Sequence, residues 1–160
     1  MKKLLLLLTM ICFAFLPPAL GEGNYAIVKG KVYFSDHARV VFNRIRMEAD
    51  DGLTLVVPLK EVDAYKVDDK VFHRLPLVCL NGEEKGDALL HLVGYRNGLS
   101  LYRCDKLDET LGCCFEDNTG NISTYFVYKD HELYLRVDEK NAWTVFPFFG
   151  IQALKDRKEL

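Results

Sequence analysis

The stretch Leu89-Leu90-His91-Leu92-Val93-Gly94-Tyr95-Arg96-Asn97-Gly98-Leu99-Ser100-Leu101-Tyr102 decides the fold class. Two apolar runs of strand length flank Asn97-Gly98, and a two-residue turn between antiparallel strands needs positive φ at both central positions, which Asn and Gly tolerate best. The segment reads as a β-hairpin, and the same grammar extends outward. Residues 62–67 and 71–75 flank Asp68-Asp69, and residues 124–128 and 133–137 flank Asp130-His131. Upstream, residues 26–34 alternate and stop at Ser35-Asp36-His37, residues 39–47 stop at Asp50-Asp51-Gly52, and residues 53–57 stop at Pro58. Residues 142–149 close the series as a buried strand, held to a sheet edge because Pro147 cannot donate to a ladder. Only residues 150–160 are left for a short C-terminal helix. About nine or ten short strands with 12% aromatic residues imply an all-β fold, an antiparallel roll, sandwich or partly open barrel.

The chain opens differently. Lys2 and Lys3 precede an apolar run from Leu4 to Leu16, then Pro17-Pro18 and the small-residue end Ala19-Leu20-Gly21. That order is a secretory signal peptide over residues 1–21, with the cut after Gly21 and a periplasmic or extracellular destination. Residues 22–160 then form a single β-rich domain of 139 residues with net charge −4, because the leader carries two lysines and no acid. The apolar run is too short to span a bilayer. A lipid anchor on Cys12 is disfavoured by bulky Ile11 before it, and Arg157-Lys158-Glu159-Leu160 reads as a solvated tail rather than a retention signal, since Lys158 stands where that signal has an acid. An outer-membrane barrel fails on residues 39–48, where one face carries Arg39 and Asn43 and the other Arg44, Arg46 and Glu48; a charge at the midplane costs about 2–4 kcal/mol. Overall acidity gives no electrostatic reason to bind nucleic acid or anionic membranes.

With Cys12 in the leader, an even set remains: Cys79, Cys104, Cys113 and Cys114. A structural disulfide from Cys104 to Cys113 or Cys114 would close a loop of about ten residues and stabilise by roughly 2.7 kcal/mol. Cys79, in Leu77-Val78-Cys79-Leu80, reads as a buried thiol or as the partner of the remaining sulfur. A zinc site from Cys104, Cys113, Cys114 and His131 suits the usual knuckle spacing poorly, so neither metal nor cofactor is expected. His37 and His131 fall in predicted turns. His73 and His91 alternate inside strands, facing solvent or a satisfied core contact.

No Gly-x-Ser-x-Gly, His-Glu-x-x-His or phosphate loop occurs, and Glu83-Glu84, Asp50-Asp51 and Asp68-Asp69 all fall in predicted turns, so no catalytic residue is assigned. Tyr125, Phe126, Tyr128 and Tyr134 are read as cross-strand aromatic pairs. Trp143, Phe146, Phe148 and Phe149 are the candidate docking surface, if they are not buried in the closing strand. Asn121-Ile122-Ser123 is a glycosylation sequon.

Four segments together carry a family resemblance: Gly30-Lys31-Val32-Tyr33-Phe34, Val57-Pro58-Leu59-Lys60-Glu61-Val62-Asp63-Ala64-Tyr65, Leu92 to Tyr102, and Tyr125-Phe126-Val127-Tyr128-Lys129. This pattern resembles a group of secreted proteins from Bacteroidetes-type bacteria that have no assigned function; the cysteines depart from it. The resemblance implies a β-rich envelope protein and brings no catalytic residues. The resulting expectation is an exported protein that binds an unknown protein or small molecule, or associates structurally in the cell envelope. The alternatives are a lipocalin-like carrier of an apolar small molecule, which lacks its Gly-x-Trp element here, and an unrecognised hydrolase.

Overall fold

The computed structural model describes residues 23–48, 52–105, 109–117, 119–152 and 155–156. The expected leader with its cut after Gly21, Cys12, Asp50-Asp51 and the tail from Arg157 lie outside the described residues.

The strands are β1 (Asn24–Val28), β2 (Lys31–Ser35), β3 (His37–Val41), β4 (Arg44–Glu48), β5 (Thr54–Pro58), β6 (Val62–Val67), β7 (Lys70–Val78), β8 (Glu84–Arg96) and β9 (Leu99–Cys104). They continue with β10 (Phe115–Glu116), β11 (Ile122–Lys129), β12 (Glu132–Arg136), the helix α1 (Ala142–Phe148) and β13 (Lys155–Asp156). One antiparallel sheet runs β13-β10-β11-β9-β8-β7-β6-β1-β2, with β12 also on β11, and β3-β4-β5 form a second sheet. The fold is the expected all-β class, a roll or sandwich rather than a closed barrel.

Turn chemistry explains the ladder. Asn97 and Gly98 sit at φ 52° and 77°, and Lys29-Gly30, Phe42-Asn43, Asp68-Asp69 and Asp130-His131 repeat the doubly positive pattern. Two of these turns correct the sequence reading: residues 26–34 and 39–47 are each two strands, folded back at Lys29-Gly30 and at Phe42-Asn43. Ser35-Asp36-His37 is not a hairpin turn but a corner between the sheets. The buried Ser35 hydroxyl donates to Glu48 O at 2.6 Å and accepts the His37 N–H at 3.1 Å, so His37 begins β3.

Residues 142–149 are also corrected, from an edge strand to α1 and its C-terminal turn. Ala142, Val145, Phe146 and Phe149 fall at i, i+3, i+4 and i+7, and all four pack into one cluster with Leu101, Phe115, Tyr125, Val127 and Val137. Asp138 Oδ1 accepts the Lys140 and Asn141 N–H groups at 2.9 and 3.0 Å and orders the entry to α1. Gly150 follows at φ 75°, and the next described element is β13 rather than a helix over residues 150–160.

Register places the cores. The row Ala26–Tyr65–Phe72–His91–Arg103–Tyr125 crosses six strands on one face of the large sheet. The β3-β4-β5 sheet covers one end of that face through Ile45, Met47 and Val57, and α1 covers the other. The row Tyr25–Lys66–Val71–Leu92–Tyr102–Phe126 lies on the opposite face, inside the roll. There Leu75, Leu77, Leu90, Tyr102, Cys104, Leu111, Phe126 and Tyr128 are buried together. β7 and β12 do not pair as strands; side chains span the gap. Tyr128 donates to Pro76 O at 2.7 Å, and Arg136 donates to Val78 O and to Cys79 O at 3.1 Å. Gly112 lets Arg136 pass, since a Cβ there would lie 2.6 Å from Arg136 Cδ.

Candidate functional site

Alternation along β3, β4 and β5 divides the small sheet into a packed face and a bare one. The packed face carries Ala38, Ile45, Met47, Leu55 and Val57 against the large sheet. The bare face consists of three ladder rows: His37–Glu48–Thr54, Arg39–Arg46–Val56 and Val41–Arg44–Pro58. Three guanidinium groups therefore share one surface with Val41 and Val56, which are 41% and 48% exposed. Like charges directly opposite each other, as at Arg39 and Arg46, oppose sheet formation. The acid on this face is Glu48, 3.8 Å from Arg46. Among the described residues neither Arg39 nor Arg44 pairs with an acid. A surface recess of about 400 Å³ opens beside Arg39 and Arg46, bounded also by His37, Glu48, Asp36 and Asp68.

The turn at the end of this hairpin is the most exposed apolar point described. Phe42 is 94% exposed at φ 48°, with Val40 and Val41 exposed beside it. A left-handed conformation costs a residue with a Cβ roughly 1–2 kcal/mol, and Asn or Gly would relieve most of it. The turn is fixed in place, because Asn43 O accepts the Leu59 N–H at 2.9 Å.

The interior groups are committed elsewhere. Tyr102 Oη and His73 Nδ1 are 2.6 Å apart inside the roll. Burial, reinforced by His131, lowers the His73 pKa to about 4, and burial pushes Tyr102 up to about 12. A neutral imidazole hydrogen-bonded to a neutral phenol ties β7 to β9 inside the roll and carries no charge there. On the other face, Arg103 Nε lies 2.8 Å from Asp105 Oδ1, and the buried Ser123 hydroxyl donates to the same oxygen at 2.8 Å. His91, stacked on Phe72 with ring centroids 4.9 Å apart, has its pKa lowered by burial and then by Arg103. The Ser123 proton goes to Asp105 and not to His91, so this row lacks the nucleophile–base contact that acyl transfer requires.

The sequence candidates are dispersed. No disulfide joins Cys79, Cys104, Cys113 and Cys114 in the structure. Cys104 stands opposite Thr124 on the β9–β11 ladder, while Cys114 Sγ approaches Thr124 Oγ1 at 3.7 Å from the β10 side. The strand β11 thus separates them, and two strand spacings of about 4.8 Å exceed the roughly 7 Å reach of a disulfide between Cα atoms. Cys113 packs into the cluster under α1, on the face opposite Cys104, and Cys79 Sγ sits 3.6 Å from Thr110 Oγ1. The four zinc candidates therefore do not converge. His131 does sit in its expected turn.

The docking candidates also separate. Phe146 is core at 1% exposed, and Phe148 and Phe149 are half-buried, the first under the Arg96 guanidinium at 5.1 Å. Trp143 alone projects, 74% exposed, its indole donating to Lys140 O at 2.7 Å. Sequence reasoning missed the bare arginine face. The signal was present in Arg39, Arg44 and Arg46, but it served only as an argument against burial in lipid.

No family model, curated protein or solved structure matches this chain.

Proposed function

We propose that this is an exported protein of the cell envelope that acts by binding, and that it engages an anionic partner through the outer face of β3-β4-β5. The observation that carries this reading is the placement of Arg39 opposite Arg46 with Arg44 on the next row. Such an arrangement opposes folding and is relieved by an incoming negative charge. The interior supports binding at the surface over carriage of a small molecule, because Tyr102, Phe126, Tyr128 and Leu90 fill the roll.

The test is fractionation of cells that produce the protein. The native chain is expected to stay with the envelope, and a chain carrying Arg39→Glu and Arg46→Glu is expected in the soluble fraction. Equal retention of both would contradict the assignment of this face.

A further inference from the structure

We infer that the anionic partner is a phospholipid surface, on which the β3-β4-β5 face lies with Phe42 inserted among the headgroups. This rests on the reading of that face as the binding surface. The chain as a whole is mildly acidic, but the fold gathers Arg39, Arg44 and Arg46 onto one side of one hairpin. Between them stand exposed Val41 and Val56, and Phe42 projects from the end beside Val40. Exposed Lys60 follows Leu59, the residue to which the turn is tied; the nearby Glu61 is engaged by Lys29 at 3.9 Å.

An aromatic side chain at an exposed tip, flanked by aliphatic groups and backed by arginines, is the chemistry of an interfacial anchor. The ring enters the boundary of the acyl chains while the guanidinium groups meet phosphates. A free phosphate ion would use the arginines and leave Phe42 without a role. Glu48, Asp36 and Asp68, the acids around the recess beside Arg39 and Arg46, lie at the end of the hairpin away from Phe42 and are met last by such a surface.

Folding does not explain Phe42, since Asn suits a doubly positive turn better than Phe. Phe42→Asn therefore separates binding from folding, and it is expected to melt at the same temperature as the native chain or higher.

The experiment is co-sedimentation of the full secreted chain with vesicles of phosphatidylcholine alone and of phosphatidylcholine with phosphatidylglycerol. Binding is expected only to the anionic vesicles and is expected to weaken with added salt. Phe42→Asn should lower the partition coefficient about tenfold, from the apolar area withdrawn. Arg39→Glu should lower it at least about fivefold, the worth of one basic side chain near an anionic surface. Equal binding to both vesicle types, no binding to either, an unchanged partition for a folded Phe42→Asn chain, or full displacement by millimolar inorganic phosphate would each overturn the inference. If vesicle binding fails while the Arg39→Glu and Arg46→Glu chain is still released from cells, the lipid assignment falls and the anionic binding face remains.

Discussion

Gly98 and His73 show how much one residue decides here. At φ 77° Gly98 occupies the second position of a left-handed turn with open space around it, so the strain of a β-branched replacement is purely a backbone effect. Gly98→Val is expected to destabilise by more than about 1 kcal/mol, read as a lowered urea midpoint. His73 gives the pH dependence. Its folded pKa of about 4 lies below the unfolded value of 6.5, so the unfolded chain binds the extra proton. The contribution is complete above pH 6.5 and is lost as pH falls from 6.5 toward 4, by at most about 3 kcal/mol. Denaturation at pH 7 and pH 4.5 should show that loss, and His73→Gln should remove this part of it. An identical acid dependence in the variant would contradict the buried neutral imidazole.

At the scale of elements, the regular hairpins were legible because their turns carry Asn-Gly, Asp-Asp or Asp-His between alternating runs. Two strand breaks were not, because Lys29 and Phe42 lead their turns and the apolar alternation continues across Gly30 and Asn43. The helix α1 was concealed by surplus apolar residues. Trp143 and Phe148 fill the gaps between Ala142, Val145, Phe146 and Phe149, and a helical stripe then reads as one unbroken strand. The two positions differ in consequence, because Phe146 is 1% exposed in the core beneath α1 whereas Trp143 is 74% exposed at its border. Phe146→Ala is expected to cost about 3–5 kcal/mol, as for any aromatic removed from a full core. Trp143→Ala should stay within about 0.5 kcal/mol of the native chain. Equal losses at the two positions in chemical denaturation would contradict α1.

For the whole molecule, closure of the roll and placement of the binding face depend on contacts no local pattern announces. Arg136 joins the end of β12 to the end of β7 across 57 residues of sequence, and Gly112 leaves room for it. The cysteines behave likewise. Their spacing suggested a staple, whereas the ladder sets β11 between Cys104 and Cys114. Alkylation of the denatured, unreduced protein is expected to modify Cys79, Cys104, Cys113 and Cys114, and a Cys104–Cys114 peptide pair in the mass spectrum would show that β10 leaves its place on β11.

The arginine face was legible as residues and illegible as a site, since its meaning depends on which side of β3-β4-β5 the large sheet covers. Hydrogen–deuterium exchange of the protein with and without anionic vesicles addresses this most directly. New protection is expected in residues 37–48 and 54–58, centred on the Phe42-Asn43 turn, with residues 142–149 unchanged. Protection centred on Trp143, or an exchange pattern that vesicles leave unaltered, would contradict binding through the small sheet.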